Sequence, residues 1–195
     1  MKTMILNQKD KNFSHYEKIV NGVYELRYET FKNRLNWDIE TKDGKEKDQF
    51  DDLDFWYIAI TNQENRVDGC WRALPTTGNY MLESIFPELM QGEKVPKAEN
   101  VWEISRFAVR KGSATEIQGY WNTLTIDLIA SFYKFAQEQG IEHYVTVTTV
   151  ACERILRQLN VKVRRMGEGR EMKIGKERSV ALWIEVNDKL NIATH

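Results

Sequence analysis

Six short runs of apolar and β-branched residues are separated by three helical patterns, and this order restricts the chain to a mixed α/β fold. The predicted strands cover residues 55–61, 67–74, 101–109, 142–150, 161–165 and 179–186, and the predicted helices cover about 14–33, 118–139 and 151–159. Ser14 and Glu17 have capping-box spacing, which predicts the first turn of the first helix. We therefore expect a three-layer α/β/α sandwich around a central mixed, mainly antiparallel sheet.

Composition limits the domain count and the kind of site. With 195 residues, 42% of them hydrophobic and 29% charged, the chain can bury one full core, so we expect a single domain over residues 1–195. No apolar run approaches the ~20 residues of a membrane helix, and the N-terminal residues turn polar too soon for a signal peptide. Cys70 and Cys152 stand alone and the histidines lack metal-ligand spacing. We expect a cytoplasmic protein without disulfides or metal.

Charge is distributed unevenly, although the net charge is only −1. Residues 38–54 hold eight acidic residues against three lysines, whereas residues 154–178 hold nine basic residues against three glutamates. Both stretches are compatible with solvated surfaces. Alternatively, the basic stretch docks an acidic partner, because complementary potentials steer two proteins together. A nucleic acid is not the expected partner, since the chain carries no recognisable nucleic-acid-binding motif and is not basic overall.

Charged residues interrupt one helix and two strands where apolar residues are expected. Arg27 interrupts the apolar stripe of the first helix, Arg72 the second strand, and Arg106 the third. Glu103 shares the third strand with Arg106, on its opposite face. A buried charge must be paired, because an isolated ion in the protein interior is expensive.

Two interpretations of these charges are open. Asp48 and Asp51, in the acidic run, can supply the countercharges of a structural ion-pair network. The same groups can instead line a polar cleft that binds a charged small molecule, with stacking or cation–π contacts from Trp37, Trp71 and Trp102. Each tryptophan, taken singly, is more typical of the core.

Several runs of the sequence resemble, in order, the signature motifs of the acyl-homoserine-lactone synthases, the autoinducer synthases of bacterial quorum sensing. The similar runs are residues 26–37, 46–51, 69–82 with 86–89, 102–108, and 145–150 with 153–154. Together they span nearly the whole chain with family-like spacing, and such a set is far more specific than any one run. The family's charged and aromatic signature positions are all matched here, at Arg27, Phe31, Trp37, Asp48, Asp51, Arg72, Glu103 and Arg106.

The resemblance implies a GNAT-acyltransferase-like fold and a reaction between S-adenosylmethionine and a fatty acyl chain on acyl carrier protein. The expected products are an N-acyl-homoserine lactone, methylthioadenosine and free carrier protein. Adenosylmethionine is then a substrate, the phosphopantetheine belongs to the carrier, and no cofactor or metal is expected. The residues expected to bind adenosylmethionine are Arg27, Phe31, Trp37, Asp48, Asp51 and Arg72.

The third strand is expected to carry the catalytic groups. The α-amino group of adenosylmethionine, with an ordinary pKa of about 7.7–8.0, must lose a proton before it attacks a thioester, and Glu103 is placed to accept that proton. Backbone N–H groups near Arg106 and Phe107, beside Ser105, can stabilise the oxyanion. Lactonisation follows when the substrate's own carboxylate displaces methylthioadenosine, which mainly requires a folded substrate conformation.

The resemblance also implies which residues contact the acyl chain and which dock the carrier protein. The residues expected to contact the acyl chain are Thr146, Thr148, Trp71 and Phe86, and the threonine hydroxyls favour a 3-oxo-acyl donor. The acidic carrier protein is expected to dock on the basic stretch through Arg154, Arg157, Arg164 and Arg165, with Lys111 near the phosphopantetheine phosphate. The loop at 110–115 lacks the pyrophosphate-binding pattern of ordinary GNAT enzymes, which favours a carrier protein over coenzyme A as donor.

Two alternatives stay open. The same fold can transfer an acyl group from acyl-coenzyme A to another amine. The chain can also be a non-catalytic module that binds carrier protein or adenosylmethionine. The presence of both Glu103 and Arg106 argues against the non-catalytic module, but residues alone do not establish turnover.

Overall fold

The computed structural model describes residues 1–112, 116–117 and 121–187. The strands are β1 (Lys2–Asn7), β2 (Trp56–Thr61), β3 (Val67–Pro75), β4 (Val101–Val109), β5 (Glu116–Ile117), β6 (Trp121–Asn122), β7 (His143–Thr149), β8 (Val163–Arg165), β9 (Met172–Ile174) and β10 (Glu177–Glu185). The α-helices are α1 (Tyr16–Arg27), α2 (Met81–Ser84), α3 (Thr123–Gln139) and α4 (Val150–Gln158). A π-helix covers Tyr28–Arg34, and 3₁₀ helices cover Gln8–Asn12, Gln49–Asp52 and Pro87–Met90. Within these ranges, no helix is long and apolar enough to cross a membrane.

The first of two compact units comprises Met1–Ala73 and Arg106–Ser131. Here β1 pairs antiparallel with β2, and β2 pairs antiparallel with β3. Helix α1 approaches β3 closely, since a Cβ on Gly22 would lie only 2.9 Å from Val67 Cγ2. This approach brings the end of α1, and with it Arg27, into the core of the unit.

The second unit comprises Leu74–Ser105 and, within the described part of the chain, residues 132–187. Strand β4 pairs parallel with β7, and β7 pairs antiparallel with β10, which also pairs antiparallel with β8 and β9. Helix α3 packs on this sheet: the Tyr144 hydroxyl donates to the Phe132 carbonyl oxygen at 2.8 Å, and Trp102 lies edge-on to Phe135. The strand pairs of the two units confirm the predicted mixed, mainly antiparallel sheet.

The six predicted strands are confirmed to within two residues at either end, but two local predictions about the helices are wrong. Ser14 does not cap the first helix. His15 is the N-cap residue, and its side chain makes no capping hydrogen bond. The chain instead enters α1 through a backbone turn, in which the Tyr16 N–H donates to the Phe13 carbonyl oxygen at 2.9 Å. The second helix begins at Thr123 rather than residue 118, since β6 precedes it; residues 118–120 lie outside the described ranges. Strands β1, β5, β6 and β9 were not predicted.

Candidate active site

A closed ring of ionic contacts, here called the ionic ring, lies buried in the first unit. Its six members are Arg27, Arg72, Arg106, Glu46, Asp48 and Asp51. Each arginine comes from a different element, namely α1, β3 and β4, and all three converge on one short acidic segment. The structure therefore brings together five of the residues predicted from the sequence.

The first half of the ionic ring runs through two fully buried arginines. Arg27 Nε donates to Glu46 Oε2 at 2.5 Å, and Arg27 Nη1 donates to Asp51 Oδ1 at 2.9 Å. Arg72 Nη1 lies 2.5 Å from Asp51 Oδ1 and 2.5 Å from Asp48 Oδ1. Asp51 thus bridges Arg27 and Arg72.

Arg106 closes the ionic ring. Its Nη2 lies 2.7 Å from Asp48 Oδ2 and 3.0 Å from Glu46 Oε1. Every carboxylate therefore bridges at least two arginines, so that positive and negative groups alternate around the ring, and a longer contact of 3.7 Å joins Arg27 to Asp48 across it. The order is Arg27, Glu46, Arg106, Asp48, Arg72, Asp51.

The local fold of residues 46–51 holds the carboxylates in place. Asp48 Oδ1 accepts from Phe50 N at 2.9 Å, and Asp51 Oδ2 accepts from Asp48 N at 2.8 Å, which makes a capping box at the start of a 3₁₀ helix. The Glu46 N–H donates to the Tyr24 carbonyl oxygen of α1 at 3.1 Å. The three-residue spacing of Asp48 and Asp51 therefore fixes the backbone conformation of this segment as well as the positions of its negative charges.

In the ionic ring, burial and the neighbouring charges shift the pKa values of Asp51 and Arg72 in opposite directions, and the effect of the charges is the larger. Burial by itself would raise the pKa of Asp51, but Arg27 and Arg72 hold the pKa of that carboxyl well below its ordinary value. Burial would likewise lower the pKa of Arg72, but Asp51 holds it above the ordinary value. Asp51 and Arg72 therefore both stay ionised at neutral pH.

One side of the ionic ring reaches solvent. The side chains of Arg27, Arg72 and Asp51 are fully buried, whereas that of Asp48 is 16% exposed and that of Arg106 is 10% exposed. Arg106 also has a left-handed backbone, with φ of 55°, a strained conformation that clusters at functional sites. A carboxylate and a guanidinium thus stand side by side where a small molecule can reach them.

Two predicted aromatic residues stack beside Arg106. The rings of Phe31 and Trp37 stack with centroids 4.8 Å apart at 17°, and the Arg106 guanidinium lies 5.6 Å from the Phe31 centroid. Phe31 lies in the π-helix, a rare geometry that is frequent at functional sites. By contrast, Trp71 is fully buried, and its Nε1 donates to Ser131 Oγ at 2.8 Å.

Two members of this region were not singled out from the sequence. Glu46 begins the run 46–51 that resembles a family motif, but it is not one of the signature positions matched there. Tyr57, in β2, donates from its hydroxyl to Asp51 Oδ1 at 2.5 Å and is fully buried. A tyrosine in an apolar strand is typical of a core, so no sequence pattern indicates this contact.

In the second unit, two backbone groups hold the carboxylate of Glu103. Its Oε2 accepts from the Met81 N–H at 2.9 Å, and its Oε1 accepts from the Leu82 N–H at 2.7 Å. The side chain is fully buried, and the two donors fix its orientation at the first turn of α2. Ser105 and Phe107, in the same strand, are partly exposed.

The residues predicted to meet the acyl chain are spread over several elements. Thr146 and Thr148 lie on the same face of β7 as Tyr144, which contacts α3. Thr146 is buried and Thr148 partly exposed. Phe86 is partly exposed and immediately precedes the 3₁₀ helix Pro87–Met90.

Three of the arginines predicted to dock a carrier are engaged within the second unit. Glu153, which is buried, accepts from Arg157 Nη2 at 2.9 Å and from Arg165 Nη2 at 2.8 Å. Burial would raise the pKa of Glu153, but Arg165 and Arg157 hold it below its ordinary value. Arg164 forms a two-pronged pair with Glu93, at 2.9 and 2.6 Å.

The remaining docking candidates are Arg154 and Lys111, and both are exposed. Among the described residues, Arg154 has no carboxylate partner, so its charge is directed to solvent.

Within the described residues, no group of three or more histidine, cysteine, aspartate or glutamate side chains could hold a metal ion.

Known proteins resemble this chain over most of its length. The family model described as autoinducer synthase matches residues 11–193, which include every member of the ionic ring. The chain belongs to the autoinducer synthase family. It is similar to an acyl-homoserine-lactone synthase of Aliivibrio fischeri, with 42% identity over 172 residues, 88% of this chain and 89% of that protein. The synthase is therefore an acyltransferase, as the resemblance implied.

Solved structures match the synthase over almost its whole length. The AHL synthase LasI is 34% identical with a TM-score of 0.82, covering 95% of this chain and 90% of that one. TofI, solved in a ternary complex with an inhibitor and MTA, is 27% identical with a TM-score of 0.80, covering 99% and 98%.

Two more distant structures bear on the fold alone. The CoA-dependent acyl-homoserine lactone synthase BjaI, solved with SAM and isopentyl-CoA, is 23% identical with a TM-score of 0.84, covering 97% of the synthase and 86% of BjaI. A putative N-acetyltransferase from Lactobacillus plantarum is 13% identical with a TM-score of 0.61, covering 96% and 100%. The expected GNAT-like fold is confirmed.

Proposed function

We propose that the synthase makes an N-acyl-homoserine lactone, a quorum-sensing signal, from S-adenosylmethionine and an acyl chain on acyl carrier protein, with residues 1–195 acting as one domain. The observation that carries this proposal is the ionic ring, in which five of six members stand at the family's signature positions. The MTA named in the TofI complex supports adenosylmethionine as substrate, because methylthioadenosine remains when its homoserine portion leaves.

The exposed side of the ionic ring suits the amino-acid portion of adenosylmethionine. Asp48 offers an acceptor to the α-ammonium group, and Arg106 offers a planar donor to the α-carboxylate. The stacked rings of Phe31 and Trp37 offer a π-face to the sulfonium or the adenine. The buried members of the ring hold Asp48 and Arg106 in position for these contacts.

The first proposed step forms an amide. The ammonium group of adenosylmethionine loses one proton and attacks the thioester carbon; a C–N bond forms and the C–S bond breaks. Of the two protons that the nitrogen loses overall, one goes to the leaving phosphopantetheine thiolate and one passes through Glu103 to solvent. Each carboxylate oxygen can accept more than one hydrogen bond, so the Met81 and Leu82 contacts do not prevent this role.

Backbone groups and the substrate itself serve the remaining chemistry. N–H groups around Arg106 and Phe107 stabilise the oxyanion of the first step. In the second step a carboxylate oxygen attacks the carbon beside the sulfonium; a C–O bond forms, a C–S bond breaks, and neutral methylthioadenosine leaves. This step transfers no proton and depends on the folded conformation of the substrate.

An acyl carrier protein is the proposed donor, and Arg154 its first docking contact, because Arg157, Arg164 and Arg165 already neutralise glutamates. We expect Arg154→Glu to raise KM for acyl-carrier protein about fivefold and to flatten its salt dependence, since a screened attraction becomes a repulsion. Steady-state kinetics at several salt concentrations measure this. Lys134→Glu, an equal charge change on exposed α3 surface, should leave KM unchanged. Equal effects of both variants would contradict docking at Arg154.

Thr148 is proposed to select donors with an oxygen at the third acyl carbon. We expect Thr148→Val to lower the ratio of kcat/KM for 3-oxo over plain donors about five- to tenfold, because one hydrogen bond of roughly 1–1.5 kcal/mol is lost. The measurement compares two donors of one chain length. Thr146→Val, on the same face of β7, is the matched variant and should have the smaller effect. An unchanged ratio in Thr148→Val would show that the threonine is only a β-branched core residue.

One experiment tests the proposed function against its alternatives. The protein is incubated with adenosylmethionine and either acyl-carrier protein or acyl-coenzyme A, and the products are identified by mass spectrometry. Methylthioadenosine with a lactone supports the proposal, and the donor that gives the higher kcat/KM identifies the acyl source. An open amide with another amine would indicate a plain N-acyltransferase, and no product with either donor would indicate a binding module.

A further inference from the structure

Tyr57 contacts the ionic ring without belonging to it. Its ring is fixed within the core, edge-on to Tyr24 with centroids 6.0 Å apart and tilted against Phe55 at 4.5 Å. The hydroxyl donates to Asp51 Oδ1 at 2.5 Å and accepts from Arg27 Nη1 at 3.2 Å. Because burial and these two ring contacts hold the aromatic ring, the position of this hydroxyl is set by β2.

Side chains from α1, β2 and β3 all contact Asp51. Its Oδ1 accepts from Tyr57, Arg27 and Arg72, and its Oδ2 accepts from the Asp48 N–H at 2.8 Å. Arg72 Nη1 in turn contacts both Asp51 and Asp48 at 2.5 Å. Asp51 therefore constrains the orientation of Asp48 in two ways, through the hydrogen bond to the Asp48 N–H and through the shared contact with Arg72.

The hydrogen bonds of Asp51 leave one buried nitrogen of Arg27 without a hydrogen bond among the described residues. This atom, Arg27 Nη2, lies in ionic contact with Asp51 Oδ2 at 2.8 Å. The Tyr57 hydroxyl and the Asp48 N–H each hold one of the two oxygens of Asp51, and together they oppose rotation of this carboxylate.

We propose that Tyr57 is a positioning residue for the adenosylmethionine site, which acts through Asp51 to hold Asp48 in the orientation that binds the substrate ammonium group. This inference rests on the proposed function. Burial raises the pKa of Tyr57 well above its ordinary value, so the hydroxyl keeps its proton and remains a donor throughout the working pH range. The hydroxyl is also the one uncharged side-chain donor to Asp51 Oδ1 among the described contacts.

The test removes only the hydroxyl, in Tyr57→Phe. We expect the Kd and the KM for adenosylmethionine to rise about tenfold, while kcat at saturating adenosylmethionine and KM for the acyl donor stay close to those of the parent. Calorimetry with adenosylmethionine alone gives Kd, and steady-state kinetics give the other constants. For a variant that is only partly folded, the rise in Tm on adding adenosylmethionine reports the same affinity.

Tyr144→Phe is the matched control, because it removes a hydroxyl from an equally buried tyrosine that donates to the Phe132 carbonyl. It should lose stability to a similar degree and leave the adenosylmethionine Kd unchanged. Parental affinity in Tyr57→Phe, or an equal loss of affinity in both variants, would overturn the positioning role. A parent protein that fails to bind adenosylmethionine would instead contradict the proposed function.

Discussion

Replacing Glu103 by glutamine is expected to lower kcat by roughly 10²- to 10⁴-fold, the loss typical of removing a general base. The amide cannot accept a proton from the α-amino group. It also cannot accept from both the Met81 and Leu82 N–H groups, because its NH₂ end is a donor. Some stability should therefore be lost as well, and the two losses have to be measured separately.

Glu153→Gln separates catalysis from stability. Glu153 is also a buried glutamate of the second unit, with two arginines as partners, and it has no proposed part in proton transfer. Chemical denaturation gives the free energy of unfolding of both variants, and single-turnover kinetics give the rate of amide formation. A parental rate at neutral pH in folded Glu103→Gln would refute the base. If the loss of rate in Glu103→Gln is no larger than that in Glu153→Gln, the role of Glu103 is only to hold α2 in place.

Most of the ionic ring could be predicted from the sequence, because a charge inside an apolar run has to be paired. Arg27, Arg72 and Arg106 interrupt apolar patterns, and the neighbouring acidic run supplies the carboxylates. The closed, alternating order could not be predicted, since it depends on the register of β3 and β4 against residues 46–51. Tyr57 was missed for the same reason: β-strand alternation shows that it is buried but not which polar group its hydroxyl meets.

The docking arginines show a second limit of sequence reasoning. The pair between Glu153 and Arg157 has a four-residue helical spacing and is predictable. The pairs Glu153–Arg165 and Glu93–Arg164 join segments that are 12 and 71 residues apart, so a count of basic residues overstates the charge available to a partner. Nothing in the residues of the first helix indicates its change to π geometry after Arg27, which positions Phe31 beside Arg106.

Asp51→Asn is expected to cause the largest loss of stability, roughly 3–5 kcal/mol at pH 7, because it leaves a buried positive charge uncompensated. The side chain is fully buried, and it bridges Arg27 and Arg72. Such a loss is a large fraction of the ~5–15 kcal/mol that stabilises an ordinary domain. The neighbouring Asp52 is the matched control: its side chain is 70% exposed and pairs with Lys47 at the surface, so Asp52→Asn should cost less than ~1 kcal/mol.

The pH dependence of Asp51→Asn identifies the charge as the cause. The pKa of Asp51 is depressed in the folded state by Arg27 and Arg72, against the effect of burial. Its contribution to stability is therefore fully present above the unfolded pKa of about 4, and it is lost as the pH falls through the folded value. The parent should thus lose its advantage over Asp51→Asn progressively below about pH 4, as urea unfolding at pH 7, 5, 4 and 3 measures. If the difference in free energy of unfolding between the parent and Asp51→Asn stays constant down to pH 3, the cause is a packing defect at the substituted side chain. A packing defect does not depend on pH, whereas the contribution of a carboxylate charge disappears as the carboxylate is protonated.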